Sequence, residues 1–289
     1  MTMRRLLILL TALWLTLPAL AWQGAHWQIE VDDYDESYVT LAYQYGRNVY
    51  ALDTIPLTGG KGLLAPDTML PAGTYYLVFP PDNKWVELLV GYDGQRYTIR
   101  TAAPDFAERL EIVGSAENDL FRMYREYVQV RLDSAAAIQA RMEQVHDEAT
   151  IRLMQDSVDA LGREVRRYQE AVVRANPHLF VSKLIGALIE IEPPEAPDPA
   201  DSTFAWRYLR AHYWDWFDFN EPGLVRTVVV ADKVDTWLDE LHPPVPDTII
   251  ATVDSLLAKA EKNEEMYRFL LTYLLNKYYK PPFMGLDAV

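Results

Sequence analysis

Cysteine is absent from the whole chain, and that one absence removes disulfides, thiolate metal sites and thiol nucleophiles together. Attack on a disulfide requires a thiolate, so this chain performs no thiol exchange by itself. It also lacks the cysteine on which an exported lipoprotein carries its lipid. Basic residues are outnumbered, with 27 Lys plus Arg against 42 Asp plus Glu and a formal net charge of −15. Nucleic acid and anionic membrane surfaces are therefore repelled rather than recruited. The histidines (His26, His146, His178, His212 and His242) show neither His-Glu-x-x-His nor His-x-x-Glu-His spacing, so no metal site and no cofactor are expected. A Gly-x-Ser-x-Gly elbow and a Gly-rich phosphate loop are missing as well, and no catalytic residue is assigned on these grounds.

Long apolar runs are equally scarce. The one near the start, Leu6 to Leu17, follows Arg4 and Arg5 and precedes Pro18-Ala19-Leu20-Ala21. A charged head, a short apolar stretch and an A-x-A site predict a signal peptide over residues 1–21, cleaved after Ala21. A retained membrane anchor is the alternative, and the shortness of the stretch weighs against it. Cleavage would leave 25 basic residues against 42 acidic ones, since Arg4 and Arg5 are lost and no acid is. No later segment reaches about 18 uninterrupted apolar residues, so no transmembrane span is expected after cleavage. The expected address is periplasmic or cell-envelope associated.

What is present divides the rest of the chain into stretches of different period. Over residues 22–114 the period is two. Val39, Leu41, Tyr43 and Tyr45 share one face, Gly46-Arg47-Asn48 makes a turn, and Val49–Ile55, Thr74–Phe79 and Trp85–Val90 continue the pattern. Asp93-Gly94 predicts a tight hairpin joining Trp85–Val90 to Arg96–Arg100. Short strands with regular turns predict an antiparallel β-sandwich.

Over residues 115–176 the period becomes helical. Ser115 is an N-cap candidate, and no Gly or Pro occurs from Ala116 to Leu161. Phe121, Tyr124, Val128, Leu132, Ala135, Ile138, Met142 and Val145 form one stripe. Ile151, Met154, Val158, Leu161, Val165, Tyr168 and Val172 form a cleaner one, in alternating steps of three and four. Two long helices broken near His146–Thr150 would pack as an intramolecular hairpin, with an intermolecular coiled coil as the alternative. Residues 177–289 read as an all-helical domain: Leu179–Ile191, a stiff Pro-rich link over 193–199, then Phe204–Tyr213, Val230–Leu241, Thr248–Lys262 capped by Asp247, and Glu264–Tyr279. The predicted class is thus α+β and multi-domain.

The densest candidate site is Tyr213-Trp214-Asp215-Trp216-Phe217-Asp218-Phe219. Aromatic rings beside carboxylates are what glycan recognition and glycoside hydrolysis use. Tyr213, Trp214, Trp216, Phe217 and Asp218 are accordingly the candidate binding residues. The alternative is a buried aromatic corner with its aspartates capped or paired.

Several segments together resemble a known arrangement. Leu70-Pro71-Ala72-Gly73-Thr74-Tyr75-Tyr76-Leu77-Val78, Trp85–Val90, Val113-Gly114-Ser115-Ala116-Glu117-Asn118, Ala211-His212-Tyr213-Trp214-Asp215 and Phe283-Met284-Gly285-Leu286-Asp287-Ala288-Val289 look like two domains of unknown function. In Bacteroidota-type exported proteins these stand ahead of a thioredoxin-like domain of the thiol-disulfide oxidoreductase (TlpA/ResA) type. The resemblance implies a non-catalytic accessory region that positions a C-terminal thioredoxin-like domain or recognises its protein client. The apolar start at Leu286 then reads as the opening of a helix in a truncated chain. An independent envelope module binding glycan or protein is the other functional reading, and a carboxylate-based hydrolase a third.

Overall fold

The structure is a computed structural model that describes residues 24–279 apart from Asp93. The expected signal segment 1–21 and the Phe283–Val289 motif lie outside the described residues. The strands β1 (His26–Asp32), β2 (Tyr38–Tyr45), β3 (Asn48–Pro56), β4 (Lys61–Leu64), β5 (Gly73–Phe79), β6 (Lys84–Val90), β7 (Arg96–Ala102) and β8 (Glu111–Val113) form two four-stranded sheets. One runs β4-β1-β7-β8 and the other β3-β2-β5-β6. Alternation places Trp27, Ile29, Val39, Leu41, Leu77 and Leu88 between the sheets, where each is essentially inaccessible to water. Trp27 stacks on Tyr97 at 5.4 Å and meets the edge of Tyr75 at 6.3 Å. Such ring pairs add about 0.5–1.5 kcal/mol each beyond area burial.

Two expectations about this half are corrected. The sandwich is not wholly antiparallel, because β1 and β7 pair in parallel from His26↔Arg96 to Asp32↔Ala102. The Asp93-Gly94 hairpin does not exist either: β6 and β7 belong to different sheets, although Gly94 does take φ +60°. The reason lies one residue on. The buried side chain of Gln95 accepts from Leu70 N–H and donates to the carbonyls of Leu70 and Gly91 at 2.7–2.8 Å. Its carbonyl receives His26 N–H, which starts the parallel pairing. The Gly46-Arg47 turn does form the β2–β3 hairpin, with Tyr45 opposite Asn48 and Gly46 at φ +55°.

Helix α1 (Ala116–Met142) and helix α2 (Glu148–Ala175) form an intramolecular hairpin, each about 40 Å long at 1.5 Å per residue. Ser115 caps α1 by accepting Asn118 N–H at 3.2 Å, and Asp147 caps α2 by accepting Thr150 N–H at 2.9 Å. The seam of α1 departs from the expected stripe at one turn. Leu132 is exposed, and Arg131 takes the position facing α2. Arg131 lays its guanidinium 3.4 Å from the Tyr127 ring centre and pairs with Glu164 at 3.5 Å. With Arg131 the series 121, 124, 128, 131, 135, 138, 142, 145 keeps strict steps of three and four. The long side chain covers apolar surface while its charge reaches the hairpin's edge.

The rest of the described chain is helical: α3 (Phe180–Ala187), α4 (Phe204–His212), a 3-10 turn Pro222–Arg226, α5 (Val229–Asp235) continuing into a π turn at Thr236–Glu240, α6 (Pro246–Ala260) and α7 (Glu264–Tyr279). The predicted Asp247 cap is displaced. Pro246 occupies the first turn and the cap is Val245, because proline fits a position whose N–H has no helical partner. The predicted Leu179–Ile191 helix stops at Ala187. Among the described residues no helix is long and apolar enough to cross a membrane.

The two halves share β6. Val86, Leu88 and Val90 point into the sandwich, while Leu89 points the other way into the helical core with Phe180, Leu224 and Leu270. Gly73 lies against Arg226, where an added Cβ would come within 2.4 Å of Arg226 Cβ. Gly46 donates to Val225 O at 2.8 Å, and Tyr45 meets Phe269 edge-on at 5.4 Å. The Leu-Pro-Ala-Gly segment is thus a docking point between sheet and helices.

Candidate functional site

The aromatic segment begins where α4 ends. Consecutive turns, with Asp215 N–H to His212 O and Phe217 N–H to Trp214 O at 3.0 Å, fold its rings toward one another. Trp214 is the hub: Tyr213, Phe217, Phe219 and Trp237 lie 4.9–5.6 Å from it, centre to centre. Phe217 and Phe219 are buried, and Tyr213 and Trp214 are half-buried. Tyr213 stacks on Trp237 at 5.2 Å and donates its hydroxyl to Lys233 O. Trp216 stands apart, its ring 6.0 Å from the Arg174 guanidinium.

The carboxylates of this segment have partners of their own. Asp215 meets His212 Nδ1 at 2.7 Å; Asp218 accepts from Lys183 Nζ at 2.9 Å and from Asn220 N–H at 3.0 Å. Burial opposes ionisation of Asp218, but those donors outweigh it and hold its carboxyl below the usual range. Of the five predicted residues, Tyr213, Trp214 and Phe217 thus converge with Phe219 and Trp237 on one ring cluster, and Asp218 is held beside it in sequence by Lys183 and Asn220. Trp216 does not join them.

The Gly-Ser-x-Glu-Asn motif at the head of α1 acts as a clamp. Asn118 accepts Leu89 N–H at 2.8 Å and donates to Leu89 O at 2.7 Å and to Ser115 Oγ at 2.7 Å. It occupies the outer edge of β6 as a neighbouring strand's peptide group would. Glu117 presses on Gly91 and accepts the N–H groups of Phe180 and Val181 at 2.9 and 2.7 Å, tying the sandwich to α3. Glu221, also buried, accepts Gly223 N–H at 2.9 Å and the Tyr92 hydroxyl. Burial first, and the mutual repulsion of Glu117 and Glu221 among lesser causes, raises the pKa of Glu117; burial likewise raises that of Glu221.

Beyond Asn118 the β6 edge lies open. The β5–β6 register is regular from Gly73↔Val90 to Phe79↔Lys84, so backbone groups alternate between β5 and the free edge. Since Leu89 faces outward to Asn118, Glu87 and Trp85 face outward too. They border a cleft of about 680 Å³ between β6, the β8 region and α1, walled by Leu110, Ile112, Phe121, Tyr124 and Val128. Two ion pairs line it, Arg125 with Glu87 at 3.3 Å and Arg122 with Glu126 at 3.0 Å, and Asp119 stands exposed at its rim. Trp85, 57% exposed, stands at the cleft with its ring edge-on to Tyr76 at 5.2 Å. The aromatic cluster at Tyr213 drew attention by composition, whereas this cleft joins residues far apart in the chain. Its one local signal was Glu87 inside an otherwise apolar strand. No group of three or more His, Asp or Glu side chains able to hold a metal occurs among the described residues.

Residues 184–284 match the family described as Domain of unknown function (DUF5106), a span running from within α3 to beyond α7. No curated protein and no solved structure matches the chain.

Proposed function

We propose that the chain is a non-catalytic client-binding region of an exported protein, and that it takes an extended, uncharged peptide as an added strand along β6. The observation that carries this reading is the row of outward backbone groups at Glu87 and Trp85, opening into a cleft with apolar walls at Leu110, Ile112, Phe121 and Val128 whose arginines are already paired. Asn118 supports it, since its side chain already satisfies the next outward pair at Leu89 in the manner of a strand. Main-chain hydrogen bonds would supply affinity without sequence, and the apolar walls would favour alternate apolar side chains. The resemblance to thioredoxin-like oxidoreductases implies a region that positions a redox domain or recognises its client, and strand addition would serve the second role.

The test is titration of the purified chain with an alternating Thr-Val heptapeptide and with the same peptide N-methylated at every peptide bond, so that neither edge of it can donate. Loss of two peptide donors should weaken binding about tenfold or more. Glu87→Pro, which removes an outward N–H while sparing the β5 ladder, should weaken the unmodified peptide as well. Equal binding of both peptides, or binding of neither, refutes strand addition.

A further inference from the structure

A second cavity, unrelated to β6, lies in the helical domain. It measures about 480 Å³, within the range of small-molecule sites. Leu188, Ile189, Leu209, Tyr213, Val228 and Leu241 supply its apolar lining. Lys233 of α5 also lines it, with Nζ 4.3 Å from the Tyr213 ring centre and 5.8 Å from that of Trp214. Among the described residues Lys233 Nζ has no hydrogen-bond or ion-pair partner. Its one carboxylate neighbour of consequence, Glu190, acts through space. Lys233 is half-buried, and a partly desolvated ammonium without a counter-ion is costly. Ring faces compensate in part. Burial accordingly pulls the Lys233 ammonium down to about 8.

The acids around the cavity bear on what could pair it. Glu190, Asp232 and Glu240 are exposed, and Asp232 is held by Arg47 at 2.7 Å. Together they disfavour polyanions such as phosphates, which would meet several like charges for one lysine. A single carboxylate with an apolar body does better, because burial of its body adds to the one ion pair.

From this geometry we infer that the cavity beneath Lys233 is a binding site for an apolar monocarboxylate, with Lys233 as counter-ion and the Tyr213 side of the aromatic corner as its wall. The binding role considered for Tyr213 then belongs to this inner face of the cluster.

Octanoate, octanol and octylammonium share one tail and differ in charge, so calorimetric titration of the purified chain with each separates charge from apolar burial. Octanoate should bind about tenfold or more tightly than octanol, as a hydrogen bond to a charged group would provide, and octylammonium most weakly. Lys233→Met should abolish that preference while keeping the tail's contribution. A readout that needs no variant is the Lys233 titration followed by NMR, which should move upward from about 8 when octanoate is bound. Octanol or octylammonium matching octanoate overturns the inference. So does an unmoved Lys233 titration, or a preference that survives Lys233→Met.

Discussion

Replacing Asn118 by alanine is the most direct probe of how the sheet and helices are joined. The substitution removes the acceptor for Leu89 N–H and the donor to Leu89 O, at 2.8 and 2.7 Å, in a place where Asn118 is 7% and Leu89 0% exposed. Each buried backbone group left without a partner costs about 1–3 kcal/mol. Two such groups give about 2–6 kcal/mol, and water entering the vacated space brings the expected loss toward about 3 kcal/mol. In a chain of this size that shifts the melting temperature by roughly 6–12 °C. Urea denaturation should show a lower midpoint at unchanged slope, because the surface exposed on unfolding is the same. The Leu89 amide should lose much of its hydrogen-exchange protection while β5 amides deeper in the sheet keep theirs. Asn118→Asp should fare little better, since a carboxylate can accept from Leu89 N–H but repels Leu89 O. If Asn118→Ala loses less than about 1 kcal/mol and Leu89 stays protected, the clamp does not hold the edge and the strand-mimic argument for β6 fails with it.

Glu117 yields a prediction whose sign is definite. Its folded pKa is raised, chiefly by burial, so the folded state keeps a proton that the unfolded chain has already released. The associated stability is full below the unfolded value and is lost as pH rises through the folded one. The stability of the native chain relative to Glu117→Gln should therefore decline as pH rises above about 4.5; an increase instead would mean that the α3 N–H groups outweigh burial. In the aromatic corner, Trp214→Ala should cost about 3–5 kcal/mol as the hub of a packed cluster, and Trp216→Ala about 1 kcal/mol. Paired chemical melts check this, and equal effects would contradict the hub arrangement.

The elements with strong local period were legible in advance. Val39–Tyr45, Thr74–Phe79 and both stripes of the hairpin bury one face against a partner, and a single face imposes its own repeat. β1 is less legible, although Trp27, Ile29 and Val31 alternate. Gly24 and the Asp33–Ser37 cluster bound it, but its parallel partner β7 is remote in the chain, so no hairpin pattern marks it. Leu132 is apolar but stands one residue off the three-and-four spacing that Arg131 keeps, and it is exposed. The aromatic corner was visible by composition, yet which faces of Tyr213 and Trp214 remain open depends on Trp237 and Lys233, which arrive from a different helix.

Composition and periodicity by themselves determined the chemistry this chain lacks through its missing cysteines, the strand-rich first half, the paired long helices and the helical remainder. These follow from residue types and neighbour spacing alone. Tertiary structure decided that Gln95 sends the chain across the sandwich instead of around a hairpin, that Glu117 and Asn118 join sheet to helix, and that Trp85 and Glu87 are left at an open edge. It also decided that Lys233, without an ion-pair partner among the described residues, stands against two aromatic rings. Each depends on groups distant in sequence meeting away from water, where an unmet hydrogen bond or charge becomes expensive. No local pattern records which groups will meet.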